Sequence, residues 1–355
     1  MNQDTKKSFS RRHFVKGSII VGAGAIGAVA LAANASKADG VGGTPAADEG
    51  GGTPAAKKVS MYRGYYPAHG EKAFTQAVVA VDEAGAILAL NIDEYQYMDS
   101  TVSQLLPVPN ATRGFGNGNN PEVWLVSKSD NDAYYSELMA TKGGATQGFL
   151  TSIKAIEEFA VGKKPSELTG LKPDAVSGST LVDTHNYLGG LDEIVKAGQF
   201  VSEGSYIGDG TDLEMGRVNY AAHGSNCFTN AVSLVQGSSL VCTSIDDFQY
   251  MASTTPNLEG VPNSDKSFGK NYVEGRVLSS KLTNNASYSQ NMIDRGGATQ
   301  DWATSIKAIE AAVAGGEVHG FKASELDAVS GSTLVDNVGY SKTAVIAATE
   351  AWWQG

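Results

Sequence analysis

Asp174-Ala175-Val176-Ser177-Gly178-Ser179-Thr180-Leu181-Val182-Asp183 recurs without a change as Asp327-Ala328-Val329-Ser330-Gly331-Ser332-Thr333-Leu334-Val335-Asp336. The chain around this string also repeats, but with drift. Ala68-His69-Gly70 answers to Ala222-His223-Gly224 at an offset of 154. Tyr97-Met98 answers to Tyr250-Met251, the Gly143–Gln147 segment to Gly296–Gln300, and Ser152–Glu157 to Ser305–Glu310, all at 153. One residue is lost from the first hairpin of the second copy. A repeat of this length is a domain duplication, too long for a solenoid unit. The copies run from about residue 57 to 198 and from 201 to 355. Ten unchanged residues inside drifting copies mark a site rather than a requirement of the fold.

Each copy opens with strand-like segments. Thr75–Val81 and Ala86–Ile92 flank Asp82-Glu83-Ala84-Gly85, a hairpin turn whose place is taken by Val235–Ser239 in the second copy. A helix follows each Gly-Gly segment, with Leu150, Ile153, Ile156 and Phe159 spaced for one apolar face, and Ile306, Ile309 and Val313 in the second copy. Another helix is expected to start at each Ser-Gly-Ser-Thr and run through Tyr187 to Val195, and through Val338 to Trp352. Strands first and helices later give the expected fold class: α+β, two tandem homologous domains, each a small antiparallel sheet packed with helices on one side.

Placed just ahead of a helix, Ser-Gly-Ser-Thr would leave backbone amides unpaired at a helix N-terminus, where a phosphate is favoured by hydrogen bonding and by the macrodipole. Gly178 and Gly331 permit a positive φ and let a phosphate approach the backbone. The hydroxyls of Ser177, Ser179 and Thr180 add donors, and Thr180 itself can be modified. Helix capping alone would account for Ser, Gly and Thr in a single copy. It does not call for an Asp six residues before the Thr.

Asp-x-x-Ser-Gly-Ser-Thr resembles the flavinylation motif of the FMN-binding domain family, whose commoner form has Ala in place of Ser179 or Ser332. The family includes a subunit of sodium-translocating NADH:quinone reductase and tandem-domain proteins of extracellular electron transfer. The resemblance implies two covalent FMN groups, esterified through phosphate to Thr180 and Thr333 by a magnesium-dependent flavin transferase that cleaves FAD. It further implies that Asp174 and Asp327 are read by the transferase. Ser177, Gly178 and Ser179, with Ser330, Gly331 and Ser332, would shape the phosphate loop. Gly143-Gly144-Ala145-Thr146 lacks the preceding Ser and Asp and is not expected to carry an ester. Entering a helix beside Lys142 or Arg295, the Gly-Gly segment could meet the flavin or simply begin the helix. Tyr95, Tyr97 and Tyr135, with Phe248, Tyr250 and Tyr288, read as core aromatics before they read as flavin neighbours. His69 and His223 recur without further ligands nearby, so they make no metal site; a polar turn or a bond to a flavin carbonyl would suit them.

The first 35 residues read as a leader. Ser10-Arg11-Arg12-His13-Phe14-Val15-Lys16 matches the twin-arginine export motif, an apolar stretch runs from Ile19 to Ala33, and Ala33-Asn34-Ala35 offers small residues for cleavage. Left uncleaved, the stretch could serve as an anchor. Residues 36–56 are Gly, Pro, Ala and acidic residues and read as a flexible tether. Lys6, Lys7, Arg11, Arg12 and Lys16 against Asp4 give the leader a charge of +4, so the formal net charge of −11 becomes −15 without it. An acidic chain without a basic stripe is a poor nucleic-acid binder. The two Cys, Cys227 and Cys242, exclude c-type haem and cysteine-ligated iron–sulfur clusters. Export makes a disulfide between them attractive, while the hairpin register would put them on non-facing rows.

The expected function is an exported electron carrier that relays electrons from a membrane quinol- or NADH-linked donor to an extracytoplasmic acceptor. No acid, base or nucleophile constellation marks it as a substrate-specific enzyme. A non-redox secreted binding protein of duplicated domains, and an extracellular flavin-dependent reductase, remain as alternatives.

Overall fold

The structure, a computed structural model, describes residues 55–117, 122–172, 174–264, 275–322, 329 and 331–354. The leader, the tether up to residue 54, and Asp327 and Ser330 of the second motif lie outside the described residues. What is described belongs to one unit.

The first sheet holds β1 (Lys57–Tyr66), β2 (Ala73–Asp82), β3 (Ile87–Asp99), β4 (Val123–Ser127) and β5 (Val201–Tyr206), in the order β4-β3-β2-β1-β5. The second holds β6 (Leu213–Tyr220), β7 (Cys227–Gln236), β8 (Ser239–Ala252) and β9 (Arg276–Ser280), in sequence order. All pairings are antiparallel. β5, the first strand after Gly198, joins the first sheet by pairing Val201 with Tyr62 and Tyr206 with Lys57. The helices are α1 (Gly114–Asn117), α2 (Asp132–Gly143), α3 (Phe149–Ala160), α4 (Thr184–Gly189), α5 (Leu191–Ala197), α6 (Asn285–Gly296), α7 (Trp302–Val313) and α8 (Asn337–Gln354).

The fold is mixed α+β, but the sheets are not covered on one side only. Along β2, Ala77, Val79 and Val81 pack on α3 to α5, while Phe74, Val78 and Ala80 pack against the other sheet. β7 divides the same way, with Ala231 and Val235 under α7 and α8, and Phe228, Val232 and Leu234 facing the first sheet. The layers therefore run helix, sheet, sheet, helix. This is why Ala77–Val81 of β2 does not alternate with polar residues, and why β7 is buried along both faces up to Val235.

Aromatic rings fill the space between the sheets. Phe74 stacks on Tyr95 with centroids 4.9 Å apart, Phe228 stacks on Phe248 at 4.7 Å, and Phe74 and Phe248 meet across the interface at 5.8 Å. Tyr97 and Tyr250 join the same core. Each fully buried ring of this kind contributes about 1.5–3 kcal/mol by area alone. Arg63, 2 % exposed, lies in the same seam and donates to Gln76 Oε1, Asn230 Oδ1, Ser244 Oγ and the Ser244 carbonyl, each at 2.8 Å.

Cys227 faces Gln249 and Cys242 faces Leu234 in the β7–β8 ladder, and both thiols are free and buried. No disulfide joins them. Burial pushes both thiols well above their ordinary pKa, which makes them poor nucleophiles.

The helix expected to run through Tyr187 to Val195 is instead two pieces, α4 and α5. The Tyr66 hydroxyl donates to the Tyr187 carbonyl at 2.6 Å, taking the acceptor that a continuous helix would offer to the next turn. A Cβ at Gly190 would lie 2.6 Å from the Tyr66 ring, so only glycine fits at the break. In the second half α8 runs unbroken.

Candidate functional site

The two motifs sit in matching turns that are pinned against the helix before them. The Thr180 amide lies 3.3 Å from Ser152 Oγ on α3, and the Thr333 amide 3.4 Å from Ser305 Oγ on α7. Gly178 has φ +91° and Gly331 φ +89°. A Cβ at Gly178 would come within 3.2 Å of Ala155 Cβ, and one at Gly331 within 3.4 Å of Ala308 Cβ. Thus glycine is required by backbone conformation in both turns and by crowding most of all in the first.

Asp174, Ser177, Gly178 and Thr180 are exposed, as are Gly331 and Thr333, while Ser179 and Ser332 are half-buried. Ser179 Oγ lies 2.8 Å from Thr184 Oγ1, and Ser332 Oγ donates to Asn337 Oδ1 at 2.6 Å, so the second Ser of each motif is spent on the helix that follows. That helix does not begin at Ser-Gly-Ser-Thr. It begins four residues later, at Thr184 and Asn337, after a turn through Leu181–Asp183 and Leu334–Asp336. The amides at the start of α3 are taken as well: Phe149 N–H donates to Ser136 Oγ at 2.8 Å and Leu150 N–H to Asp132 Oδ1 at 2.9 Å. The first amide of α4 is also used, since Thr184 N–H donates to the Leu181 carbonyl at 3.1 Å, so Thr180 stands in a turn ahead of the helix and not at its mouth.

Nor does Gly-Gly start a helix. Gly143 ends α2 and Gly144 caps it with φ +66°, and Gly296 and Gly297 do the same for α6. In the second half the segment that follows reaches the motif. Gln300 Nε2 donates to the Gly331 carbonyl at 2.6 Å and to Ser305 Oγ at 2.9 Å.

The recurring histidines come to the motifs. His69 Nδ1 lies 2.6 Å from Asp183 Oδ2, and His223 Nδ1 2.5 Å from Asp336 Oδ2. The last Asp of the unchanged string therefore has a local partner in each half, three residues past the threonine. Val182 and Val335, between them, are 75 % and 88 % exposed. Such exposure is unusual for a valine and occurs twice at the same place.

A second pair of sites was not visible in the motif reading. Lys128 and Glu94 form a fully buried ion pair, with Tyr187 Oη donating to Glu94 Oε2 at 2.9 Å. Lys281 Nζ lies 2.9 Å from Asp247 Oδ2, which also accepts from Tyr340 Oη at 2.6 Å. Burial would lower each ammonium, but Glu94 and Asp247 outweigh it and leave both lysines raised, so both stay charged. Tyr187 and Tyr340 sit on the helices that leave the motifs, and these triads tie those helices to the sheets. The signal was in the sequence: Lys128 and Lys281 stand 153 residues apart, as the rest of the repeat does.

No group of three or more His, Cys, Asp or Glu side chains that could hold a metal occurs among the described residues, and no helix there is long and apolar enough to cross a membrane. No family model, no curated protein and no solved structure matches the chain.

What the turns offer is an exposed secondary hydroxyl on a glycine-dependent corner, with an exposed valine two residues on and, three residues on, an aspartate paired with an imidazole. A phosphoester at Thr180 or Thr333 fits these features, because both threonines are exposed; at Thr333 the ester would replace the 3.5 Å contact of Oγ1 with Ser305 Oγ.

Proposed function

We propose that the chain is an exported electron-transfer flavoprotein built from two homologous FMN-binding domains, with FMN esterified to Thr180 and Thr333. The observation that carries this reading is the pair of exposed threonines, each two residues beyond a glycine of positive φ, inside a ten-residue string that is unchanged between halves. Bound flavin supplies one- and two-electron redox chemistry, and an ester to its phosphate leaves the ring free for it. Asp174 and Asp327 present the acceptors to a flavin transferase. Ser179 and Ser332 hold each corner to the helix behind it, and His69 and His223 with their aspartates border it. A dissociable cofactor would be lost by dilution outside the cell, which is where the twin-arginine sequence of the leader directs the chain. Electrons come from a membrane quinol- or NADH-linked donor and leave to an extracytoplasmic acceptor.

Co-expression with a flavin transferase and intact-mass measurement test this directly. Two flavin adducts are expected for the wild type, and one each for Thr180→Ala and Thr333→Ala. A colourless, unmodified protein after exposure to an active transferase removes the redox reading.

A further inference from the structure

Asn110 and Asn263 stand 153 residues apart and share one unusual backbone state, φ +67° and φ +66°. Left-handed backbone is several-fold enriched in Asn but still uncommon, and its appearance at matching positions calls for a reason. The side chains supply one. Asn263 Nδ2, from the second half, donates to the Gly70 carbonyl at 2.8 Å and the Ala73 carbonyl at 2.7 Å. Asn110 Nδ2, from the first half, donates to the Gly224 carbonyl at 3.0 Å and the Cys227 carbonyl at 2.7 Å. Both hydrogens of each amide are used, and together they staple the two ends of a turn in the opposite half.

Those turns follow His69 and His223 directly, and these are the histidines bound to Asp183 and Asp336. Each asparagine thus stands at the head of a line made of hydrogen bonds and short stretches of chain. One runs from Asn263 through the Gly70–Ala73 turn to His69, then Asp183, then the corner of Thr180. The other runs from Asn110 to His223, Asp336 and Thr333. An imidazole whose Nδ1 is committed to a carboxylate keeps Nε2 as its remaining polar atom, a donor once the ring is protonated. Such a donor bordering a bound flavin favours the negative charge that reduction adds to the ring system.

We propose that each acceptor site is set in part by the other half of the chain: Asn263 is a positioning residue for the Thr180 site and Asn110 for the Thr333 site, each acting through the turn it staples and the histidine that precedes that turn. This rests on the flavin reading above for its redox consequence, but not for the crossing itself.

The test uses single-flavin proteins. In flavinylated Thr333→Ala, where only Thr180 is loaded, adding Asn263→Ala is expected to lower the flavin midpoint potential, and His69→Leu to lower it in the same direction. Asn110→Ala in that background should leave the potential where it was. In Thr180→Ala the roles exchange. Two neutral hydrogen bonds are a small part of an interface that also buries Phe74, Tyr95, Phe228 and Phe248, so these variants keep the fold, as thermal melting would verify. Equal shifts from both asparagines, or no shift from either, overturn the proposal. Should neither threonine be flavinylated, the flavin reading falls and the crossing is still read in the apo protein by imidazole NMR. The His69 Nδ1–H signal should lose protection from solvent exchange in Asn263→Ala and keep it in Asn110→Ala. Equal behaviour in the two variants sinks the crossing as well.

Discussion

Gly178 and Gly331 are identical in the sequence and nearly identical in backbone, yet their surroundings differ by a few tenths of an ångström. An alanine at φ near +90° costs on the order of 1–3 kcal/mol from strain alone. At position 178 the new Cβ would also press on Ala155 at 3.2 Å, whereas at 331 the 3.4 Å approach to Ala308 is ordinary contact. Gly178→Ala should therefore destabilise more than Gly331→Ala in urea unfolding, and both should reduce flavin loading measured by mass. Lys281 makes a different prediction. Removing it as Lys281→Met leaves the Asp247 carboxylate buried without its cation, at a cost of about 3–5 kcal/mol. Adding Asp247→Leu should recover part of that loss in the same unfolding experiment, because the pair is then replaced and not merely broken. Neither residue's importance was legible from type alone. A lysine between Ser280 and Leu282 reads as solvated until the fold puts Tyr288 and Trp302 around it, with Nζ 4.5 Å and 5.8 Å from their ring centroids.

At the scale of elements, α3 and α7 are each joined to a central strand by one carboxyl group. Glu157 Oε1 accepts from the Ile92 amide at 2.7 Å, and Glu310 Oε1 from the Ile245 amide at 2.8 Å. Burial raises both carboxyls to about 8, and the backbone donors offset it only in part. The folded protein therefore holds two protons that the unfolded chain has released above its ordinary carboxyl range, from 4.5 upward. By linkage, this contribution to stability is greatest at or below that range and declines as pH rises toward 8. Thermal midpoints should fall across this window in the wild type. Glu157→Gln with Glu310→Gln keeps an oxygen acceptor and removes the titration, so its profile should be flatter and its midpoint higher than wild type above pH 8; parallel profiles would refute the assignment. These helices were well marked in the sequence, since Ile153, Ile156, Ile306 and Ile309 face the sheet as their spacing required. The helices after the motifs begin four residues beyond the threonines at which their composition predicts them. Ser-Gly-Ser-Thr has the composition of a cap, but Asp183 and Asp336 precede the helices, and nothing local distinguishes a Ser that caps from one that binds the first helical side chain.

The whole molecule is where sequence reading was weakest, because a repeat announces two similar halves without saying how they meet. The strands announced it indirectly: Ala77–Val81 is too uniformly apolar for a sheet with one wet face. The halves share a core, and their polar seams interlock, with Arg217 Nη2 of the second half 2.7 Å from Asp130 of the first and Nη1 3.1 Å from Asp93. Burial pushes Asp93 up despite Arg217, whereas Arg217 and its hydrogen bonds outweigh burial at Asp130 and hold that carboxyl down. Dividing the chain should therefore damage both parts. A chain ending at Gly198 loses β5 from the edge of its sheet and exposes Phe74, Tyr95, Tyr97 and Leu125, a contiguous apolar face of the kind that monomers rarely present. It should self-associate or aggregate, as seen by sedimentation, while the intact chain melts in one cooperative transition. Within the intact chain, Phe228→Ala, which empties a site packed by Tyr95, Phe115 and Phe248, should cost about 3–5 kcal/mol and lower that single transition as a whole. Two separate transitions, with only the second half shifted, would mean that the sheets melt independently and that the shared core does not couple them.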